Sequence, residues 1–145
     1  MSSVSIMSGY STLHGALRSA ERNWVGQLES ALTADNLTAD HWAILSQLST
    51  DDGVTMSELA AHARLAPSSA TRHADHLAER GLIFRVAATD DRRRILIGLS
   101  SLGAKLVGRI RAQEQYAEEE LRGRLGARRY TDLVAALSVI AELED

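Results

Sequence analysis

The sequence predicts a mainly α-helical protein with one small β-hairpin of two or three strands. Leu and Ala dominate its 145 residues, whereas Pro and Phe each occur once. Apolar residues recur at three- and four-residue spacing along most of the chain, as they do in amphipathic helices. That spacing gives way to a two-residue alternation only near residues 82–99, where the hairpin is expected. The predicted order of elements is therefore ααααββαα.

Two helices account for the first part of the chain. Residues 1–10 are small and polar, and we expect them to be frayed. Apolar residues from Leu13 to Leu32 then predict one long amphipathic helix. Thr38 suits the cap of a second helix, which is expected to end at Gly53.

Two further helices follow, joined by a short turn. Thr55 and Glu58 have the spacing of a capping box and predict a short third helix, at about residues 56–62. Pro67 suits the first position of a fourth helix, because its missing N–H costs nothing there. Gly81 suits the C-terminal cap of that helix.

The last part of the chain predicts the hairpin and two more helices. The run "LIFRVAATDDRRRILIGLS" predicts two strands that flank a polar tip. Ser100 suits the cap of a long fifth helix, and Gly126 interrupts the pattern before a sixth. Two short helices joined by a tight turn and followed by a hairpin make a winged helix-turn-helix.

Composition and motifs exclude several classes of protein. Cysteine is absent, which excludes disulfides, thiolate metal sites and a thiol-based peroxide sensor. No apolar run approaches the roughly 18 residues of a membrane span, so we expect a soluble, cytoplasmic protein that does not bind membranes. The motifs G-x-S-x-G and H-E-x-x-H and a phosphate-binding glycine loop are missing, so we expect neither an enzyme nor a cofactor.

The distribution of charge favours nucleic acid as a partner. The net charge of the chain is −3. Residues 54–100 nevertheless hold seven arginines against five acidic residues, and the rest of the chain holds nine Lys and Arg against fourteen acidic residues. A mildly basic centre between acidic flanks is typical of a DNA-reading module carried by helices with another task.

The start of the fourth helix carries side chains that suit DNA. The second helix of a helix-turn-helix enters the major groove with its N-terminus first. Hydroxyl groups there can bond phosphates or base edges, and an arginine can reach a guanine or a phosphate. The alternative is an exposed helix start rich in ordinary capping residues. The predicted contacts on this helix are Pro67, Ser68, Ser69, Thr71, Arg72 and His76.

The hairpin offers a second set of contacts. Arg92, Arg93 and Arg94 stand together beside Asp90 and Asp91. An arginine at such a tip can enter the minor groove, where narrow A·T stretches concentrate negative potential. The alternative is a solvated charge run on a loop. The predicted contacts of the hairpin are Arg85, Asp91, Arg92, Arg93 and Arg94.

Three runs of the sequence resemble successive signatures of MarR-type transcriptional regulators. They are "LTADHWAILSQL", "TMSELAAHARLAPSSATRHADHLAERGLIFR" and "DDRRRILIGLSSLG", and the likeness covers roughly residues 11–143. The resemblance implies a DNA-binding regulator, most commonly a repressor, in which Arg93 enters the minor groove and Asp91 braces it. Two departures stand out. Ala66 replaces a frequent capping Ser, whose loss costs roughly 0.5–2 kcal/mol, and the hairpin tip lacks a frequent Pro.

The resemblance also implies a homodimer. On this interpretation residues 1–145 form a single MarR-type domain, with dimerisation helices at 11–35 and 101–143 and a winged helix-turn-helix DNA-binding lobe at 36–100. A two-fold dimer presents two recognition helices about one DNA turn apart, so the operator should be an inverted repeat. The alternative is a helical bundle within one chain.

MarR-type proteins commonly bind small aromatic or phenolic anions, so the resemblance implies a possible ligand. His14, Arg18, His41 and Trp42 could line an apolar pocket that offers a cationic or hydrogen-bonding group to a carboxylate. The alternative is that Trp42 belongs to the core and that His41 is a satisfied buried histidine.

Two other functions stay open. His73 and His76 have a spacing that suits metal, and His62 is a candidate third ligand. A metal-responsive regulator needs three or four convergent ligands, however, and we expect no metal. A winged helix that binds protein instead of DNA would keep the fold. Such a module would not need the arginine cluster of the hairpin.

Overall fold

The computed structural model describes residues 12–48 and 52–143. Within these ranges it confirms the predicted fold class and the order ααααββαα. The expected fraying of residues 1–10 lies outside the described residues. In chain order the elements are α1 Leu13–Ala34, α2 Ala39–Leu45, α3 Met56–Ala63, α4 Pro67–Glu79, β1 Ile83–Ala87, β2 Ile95–Leu99, α5 Ser101–Leu125 and α6 Ala127–Ala141.

The second helix is shorter than predicted. It ends at Leu45 and is followed by a turn, in which the Leu48 N–H donates to the Leu45 carbonyl at 3.2 Å. The prediction of an end at Gly53 was therefore wrong, because Leu48 continues the helical spacing of apolar residues beyond the helix itself. Val54 instead forms an antiparallel bridge with Ile97 of the hairpin, which adds one residue of a third strand.

Side-chain caps begin the two helices α2 and α3. Thr38 and His41 form a complete capping box, in which His41 Nδ1 accepts from the Thr38 N–H at 3.0 Å. At α3, Thr55 Oγ1 accepts from the Glu58 N–H at 3.3 Å, as predicted. The Glu58 carboxylate accepts from the Thr55 hydroxyl at 2.9 Å, so the second half of the predicted capping box is replaced by this contact.

One apolar core joins the helices to the hairpin. Ala70, Ala74 and Leu77 of α4 are fully buried in it, which holds that helix by its inner face. Burying a side chain of the size of Leu stabilises the fold by about 1.5–3 kcal/mol. The fully buried large side chains of the core are Ile44, Leu45, Leu59, Leu77, Ile97 and Ile110.

Close contacts fix the hairpin and the start of α5. The two strands are antiparallel, and Phe84 pairs with Gly98. The Phe84 ring covers Gly98 so closely that a Cβ there would lie 2.6 Å from the ring. A Cβ at Gly103, in the first turn of α5, would overlap the carbonyl oxygen of Leu82. Gly98 therefore permits the close approach of the Phe84 ring, and Gly103 that of the Leu82 backbone, which a side chain at either position would prevent.

The chain divides into two units, Met1–Ile110 and Arg111–Asp145. In the second unit, Gly126 separates α5 from α6 and has a φ of 86°. The Arg122 guanidinium lies over the Tyr130 ring, 4.7 Å from its centroid. None of the residues of α6 is buried. The exposed large apolar side chains of this helix are Leu133, Val134, Leu137 and Val139.

Among the described helices there is none whose length and apolar character would let it cross a membrane.

Candidate nucleic-acid interface

The start of α4 presents backbone donors at the surface. Its N-cap is Ala66, which makes no side-chain cap, and Pro67 occupies the first helical position. The N–H groups of Ser68 and Ser69 therefore lack a capping oxygen from Ala66, as the sequence predicted. These groups also carry the positive end of the helix dipole, so they favour an anion such as a phosphate.

Polar side chains surround this end of the helix. The exposed positions are Pro67, Ser68, Thr71 and Arg72, with Ser69 half-buried. The Thr71 hydroxyl donates to the Pro67 carbonyl at 2.9 Å. Because its proton is used in this way, the Thr71 oxygen is left as an acceptor, which suits an amino group on a base edge. The structure thus places five of the six predicted helix residues together at one end.

The hairpin tip is held by its own acidic residues. Asp91 Oδ1 accepts from the Arg93 backbone N–H at 3.0 Å and lies 3.6 Å from Arg93 Nε. The side chain of Arg93 is nevertheless 94% exposed. Arg94 pairs with Asp90 at 3.5 Å, and its carbonyl accepts from the Ala88 N–H at 2.8 Å to close the tip. Asp91 therefore orients Arg93 while leaving its guanidinium accessible.

A further ion pair connects the hairpin to α4. Arg85 of β1 donates to the Asp75 carboxylate of α4, and both side chains are partly exposed. Arg85 was predicted to contact DNA, and in this structure its guanidinium is engaged by Asp75. Asp75 was not predicted as the partner of Arg85, because no spacing rule relates a helix residue to a strand residue across a turn.

Two histidines of α4 contact His41 of α2. The His76 ring stacks on the buried His41 ring, with centroids 5.2 Å apart and planes 17° apart. The His73 ring meets His41 edge-on at 4.8 Å, and its Nε2 lies 3.6 Å from Asp40 Oδ2. The His76 ring thus packs on His41 within the lobe, while the residue as a whole is exposed. Its contact with DNA stays a prediction.

The environment of His41 keeps its imidazole neutral. Burial, followed by the charges of His73, His76 and Arg80, lowers the pKa of His41 to about 4, against an opposing effect of Asp40. The Thr38 N–H donates to Nδ1, so the proton of the neutral ring resides on Nε2.

The four candidate ligand residues occupy different surroundings. His14 and Arg18 are exposed on α1, whereas His41 and Trp42 are buried in α2. The hydrogen bond and ring contacts of His41 support the alternative interpretation of a satisfied buried histidine. A ligand site that includes these residues stays a prediction.

The histidines do not form a metal site in the described structure. Across residues 12–48 and 52–143, no group of three or more His, Asp or Glu side chains is arranged to hold a metal ion. His62 lies exposed on α3. The metal-responsive alternative therefore has no support from the geometry.

Comparison with known proteins identifies the family. Residues 37–95, which include α2, α3, α4 and β1, match the MarR family. The chain is also 30% identical over 141 residues to the HTH-type transcriptional regulator FarR of Neisseria gonorrhoeae, covering 95% of this chain and 94% of that protein. The chain belongs to the MarR family. It is a winged helix-turn-helix transcriptional regulator.

The similarity to solved structures of this fold covers almost the whole chain. NadR in complex with 4-hydroxyphenylacetate has a TM-score of 0.83 at 24% identity, covering 92% of this chain and 94% of that one. CouR bound to a 23-mer DNA duplex has a TM-score of 0.80 at 23% identity, covering 91% and 94%. CouR from Rhodococcus jostii RHA1 has also been solved with p-coumaroyl-CoA. At these identities the likeness shows a shared fold.

Proposed function

We propose that this MarR-family regulator binds double-stranded DNA with α4 in the major groove and the hairpin, as its wing, in the minor groove. One observation carries the proposal. The uncapped start of α4, with its exposed hydroxyls and Arg72, belongs to the same lobe as Arg93, which is fully accessible and braced by Asp91. CouR, which has the same fold, has been solved bound to a DNA duplex, and this supports the proposed use of the fold.

The proposed DNA-binding form is a homodimer. In this arrangement residues 36–100 form the DNA-binding lobe of a single domain, and helices within 11–35 and 101–143 pair two subunits. The exposed apolar side chains of α6 support this assignment, because a chain in isolation would leave Leu133, Val134 and Leu137 in water. Two copies related by a two-fold axis would read an inverted repeat.

The proposed regulatory role is repression relieved by a small aromatic ligand. NadR with 4-hydroxyphenylacetate and CouR with p-coumaroyl-CoA support ligands of this class. Ligand binding would change the separation of the two recognition helices, so that both can no longer sit in adjacent grooves. Such a repressor acts where the chromosomal DNA lies, which we take to be the cytoplasm, and it needs neither catalytic activity nor a cofactor.

Selection of bound fragments from sheared genomic DNA tests the proposal, followed by affinity measurements across a salt series. We expect an enriched inverted repeat that is bound at least a thousandfold more tightly than bulk DNA. Affinity should fall steeply with salt, because bound cationic side chains release counterions from the phosphates. Binding without an enriched site would indicate an architectural protein. Absence of DNA binding would favour the protein-partner alternative.

A further inference from the structure

The C-terminal end of α4 is attached to the end of α1 through one arginine. Arg80 donates from Nη2 to the Asp35 carbonyl at 2.5 Å and from Nη1 to the Asn36 carbonyl at 3.1 Å. These carbonyls lie at the negative end of the α1 dipole, which favours a guanidinium there. Asp35 also accepts, through its carboxylate, from Arg109 of α5 at 3.2 Å. The Asp35–Asn36 corner therefore joins α1, α4 and α5.

The same end of α4 is attached to the start of α5. The Ser100 hydroxyl donates to the Gly81 carbonyl at 2.5 Å, and the Ser100 N–H donates to the Leu82 carbonyl at 3.1 Å. Gly103 then packs directly against the Leu82 backbone. Residues 80–82 are consequently held from two sides, by the helices that we assign to dimerisation.

The geometry points to Arg80 as a positioning residue for DNA recognition. We propose that its paired hydrogen bonds fix the tilt of α4, so that Ser68, Thr71 and Arg72 at the opposite end meet the groove in register. The proposal rests on the proposed DNA-binding function. A 13-residue helix is about 20 Å long, so a tilt of about 10° at Arg80 moves the other end by about 3 Å. A hydrogen bond to a base edge does not survive a displacement of that size.

Arg80 acts on DNA only through α4 in this proposal. Both terminal nitrogens of its guanidinium are engaged by backbone carbonyls, and the residue lies at the end of α4 farthest from Pro67. A residue that contacts phosphate contributes equally to all DNA sequences and to the salt dependence. A positioning residue contributes instead to the ratio of operator affinity to bulk affinity. That ratio is therefore the deciding measurement.

The test compares full-length variants on the selected operator and on bulk DNA across a salt series. We expect Arg80→Met to lower operator affinity at least tenfold, to leave bulk affinity within twofold and to leave the salt slope unchanged. Arg80→Lys should fall between Arg80→Met and the wild type, because a single ammonium cannot reproduce the planar fork. Lys105→Met, which removes an exposed charge from α5, serves as the matched control and should leave the ratio unchanged.

Arg109 provides an independent readout of the same corner. Arg109→Met should lower the ratio less than Arg80→Met does, and the double variant should be no worse than Arg80→Met alone, because both side chains act through Asp35. If Arg80→Met does not fold, Arg80→Lys and Arg109→Met carry the test. An equal loss on both DNAs with a shallower salt slope, or unchanged operator affinity in Arg80→Met, overturns the positioning role alone. A wild-type protein without any preferred site overturns the proposed function, and this inference with it.

Discussion

His76 of α4 stacks on His41 of α2, with ring centroids 5.2 Å apart. The contact places a buried, neutral imidazole directly behind the proposed DNA-reading surface. Because the pKa of His41 is lowered to about 4, the folded state resists protonation of this ring, whereas the unfolded chain accepts the proton near 6.5. His41 therefore contributes stability that is present above pH 6.5 and is lost as the pH falls from 6.5 towards 4.

This linkage predicts a pH-dependent free energy of unfolding. At full extent the contribution of His41 is about 3 kcal/mol, from the difference between its folded and unfolded pKa values. His41→Gln retains a side-chain acceptor for the Thr38 N–H and does not titrate. Urea titrations between pH 7.5 and 4.5 should therefore show a shallower loss of stability in His41→Gln than in the wild type. Equal slopes for the two proteins would contradict the assignment.

Arg93 should contribute to operator binding without contributing to the fold. Its side chain is 94% exposed, so we expect Arg93→Ala to weaken operator binding by about 1–3 kcal/mol and to leave the thermal midpoint unchanged. Asp91→Ala should have a smaller effect in the same direction, because it removes the brace and leaves the guanidinium. Fluorescence anisotropy with a labelled operator measures both. If Arg93→Ala binds the operator as tightly as the wild type does, the assignment of the wing to the DNA interface is wrong.

Arg85 should matter less to DNA than Arg93, because Asp75 already engages its guanidinium. We expect Arg85→Met to weaken operator binding by less than about 1 kcal/mol, which is the range of an exposed ion pair. The same titrations report the salt slope for both variants. A slope that falls by about one in Arg85→Met would instead identify a phosphate contact, and Arg85 would then belong to the DNA contacts that the sequence predicted.

Gly103 should tolerate no side chain. A Cβ at this position overlaps the Leu82 carbonyl oxygen, so Gly103→Ala must displace α5 from the end of α4. We expect a loss of about 2 kcal/mol or more in the free energy of unfolding, in the range of overpacked positions. Gly108→Ala on the same helix meets open space and should gain up to about 1 kcal/mol from helix propensity. Chemical denaturation of Gly103→Ala and Gly108→Ala distinguishes a steric clash at Gly103 from the effect that a Gly-to-Ala change has anywhere on this helix.

Leu133, Val134 and Leu137 lie on one face of α6, and these apolar side chains should hold the proposed homodimer together. Leu137→Glu introduces a charge among exposed apolar residues, and we expect it to shift the protein from dimer to monomer and to weaken operator binding. Ala135→Glu, which helical spacing places on the opposite face of α6, is the control and should leave the dimer intact. Sedimentation velocity over a concentration series measures the shift. A monomeric wild type would contradict the dimerisation role directly.

Local rules account for much of the architecture. Thr38, Thr55 and Pro67 predicted the starts of three helices, and Gly81 predicted the end of α4, because caps depend on residues that are adjacent in sequence. The arginine cluster likewise predicted an exposed tip. The prediction was wrong at the end of α2, because the helical spacing of apolar residues continues to Leu48 although the helix ends at Leu45.

Contacts between different helices and strands could not be predicted from these local rules. The ion pair of Arg85 with Asp75 and the hydrogen bonds of Arg80 with Asp35 depend on how α4 packs against β1 and α1. Their partners lie on other elements, where no periodicity relates them. No local rule predicted that His41 would serve as the third residue of a capping box, since Glu and Gln are the usual residues there.

The fixed tautomer of His41 makes this side chain a spectroscopic probe. With Nδ1 accepting from the Thr38 N–H and the proton held on Nε2, the imidazole nitrogen signals should keep a neutral pattern across pH 5–8. An isotope-labelled histidine sample would therefore display one ring that does not titrate in that range. Any event that separates α4 from α2 would make that resonance titrate, so the signal would report the position of α4 relative to α2 without a label on the proposed DNA-binding surface.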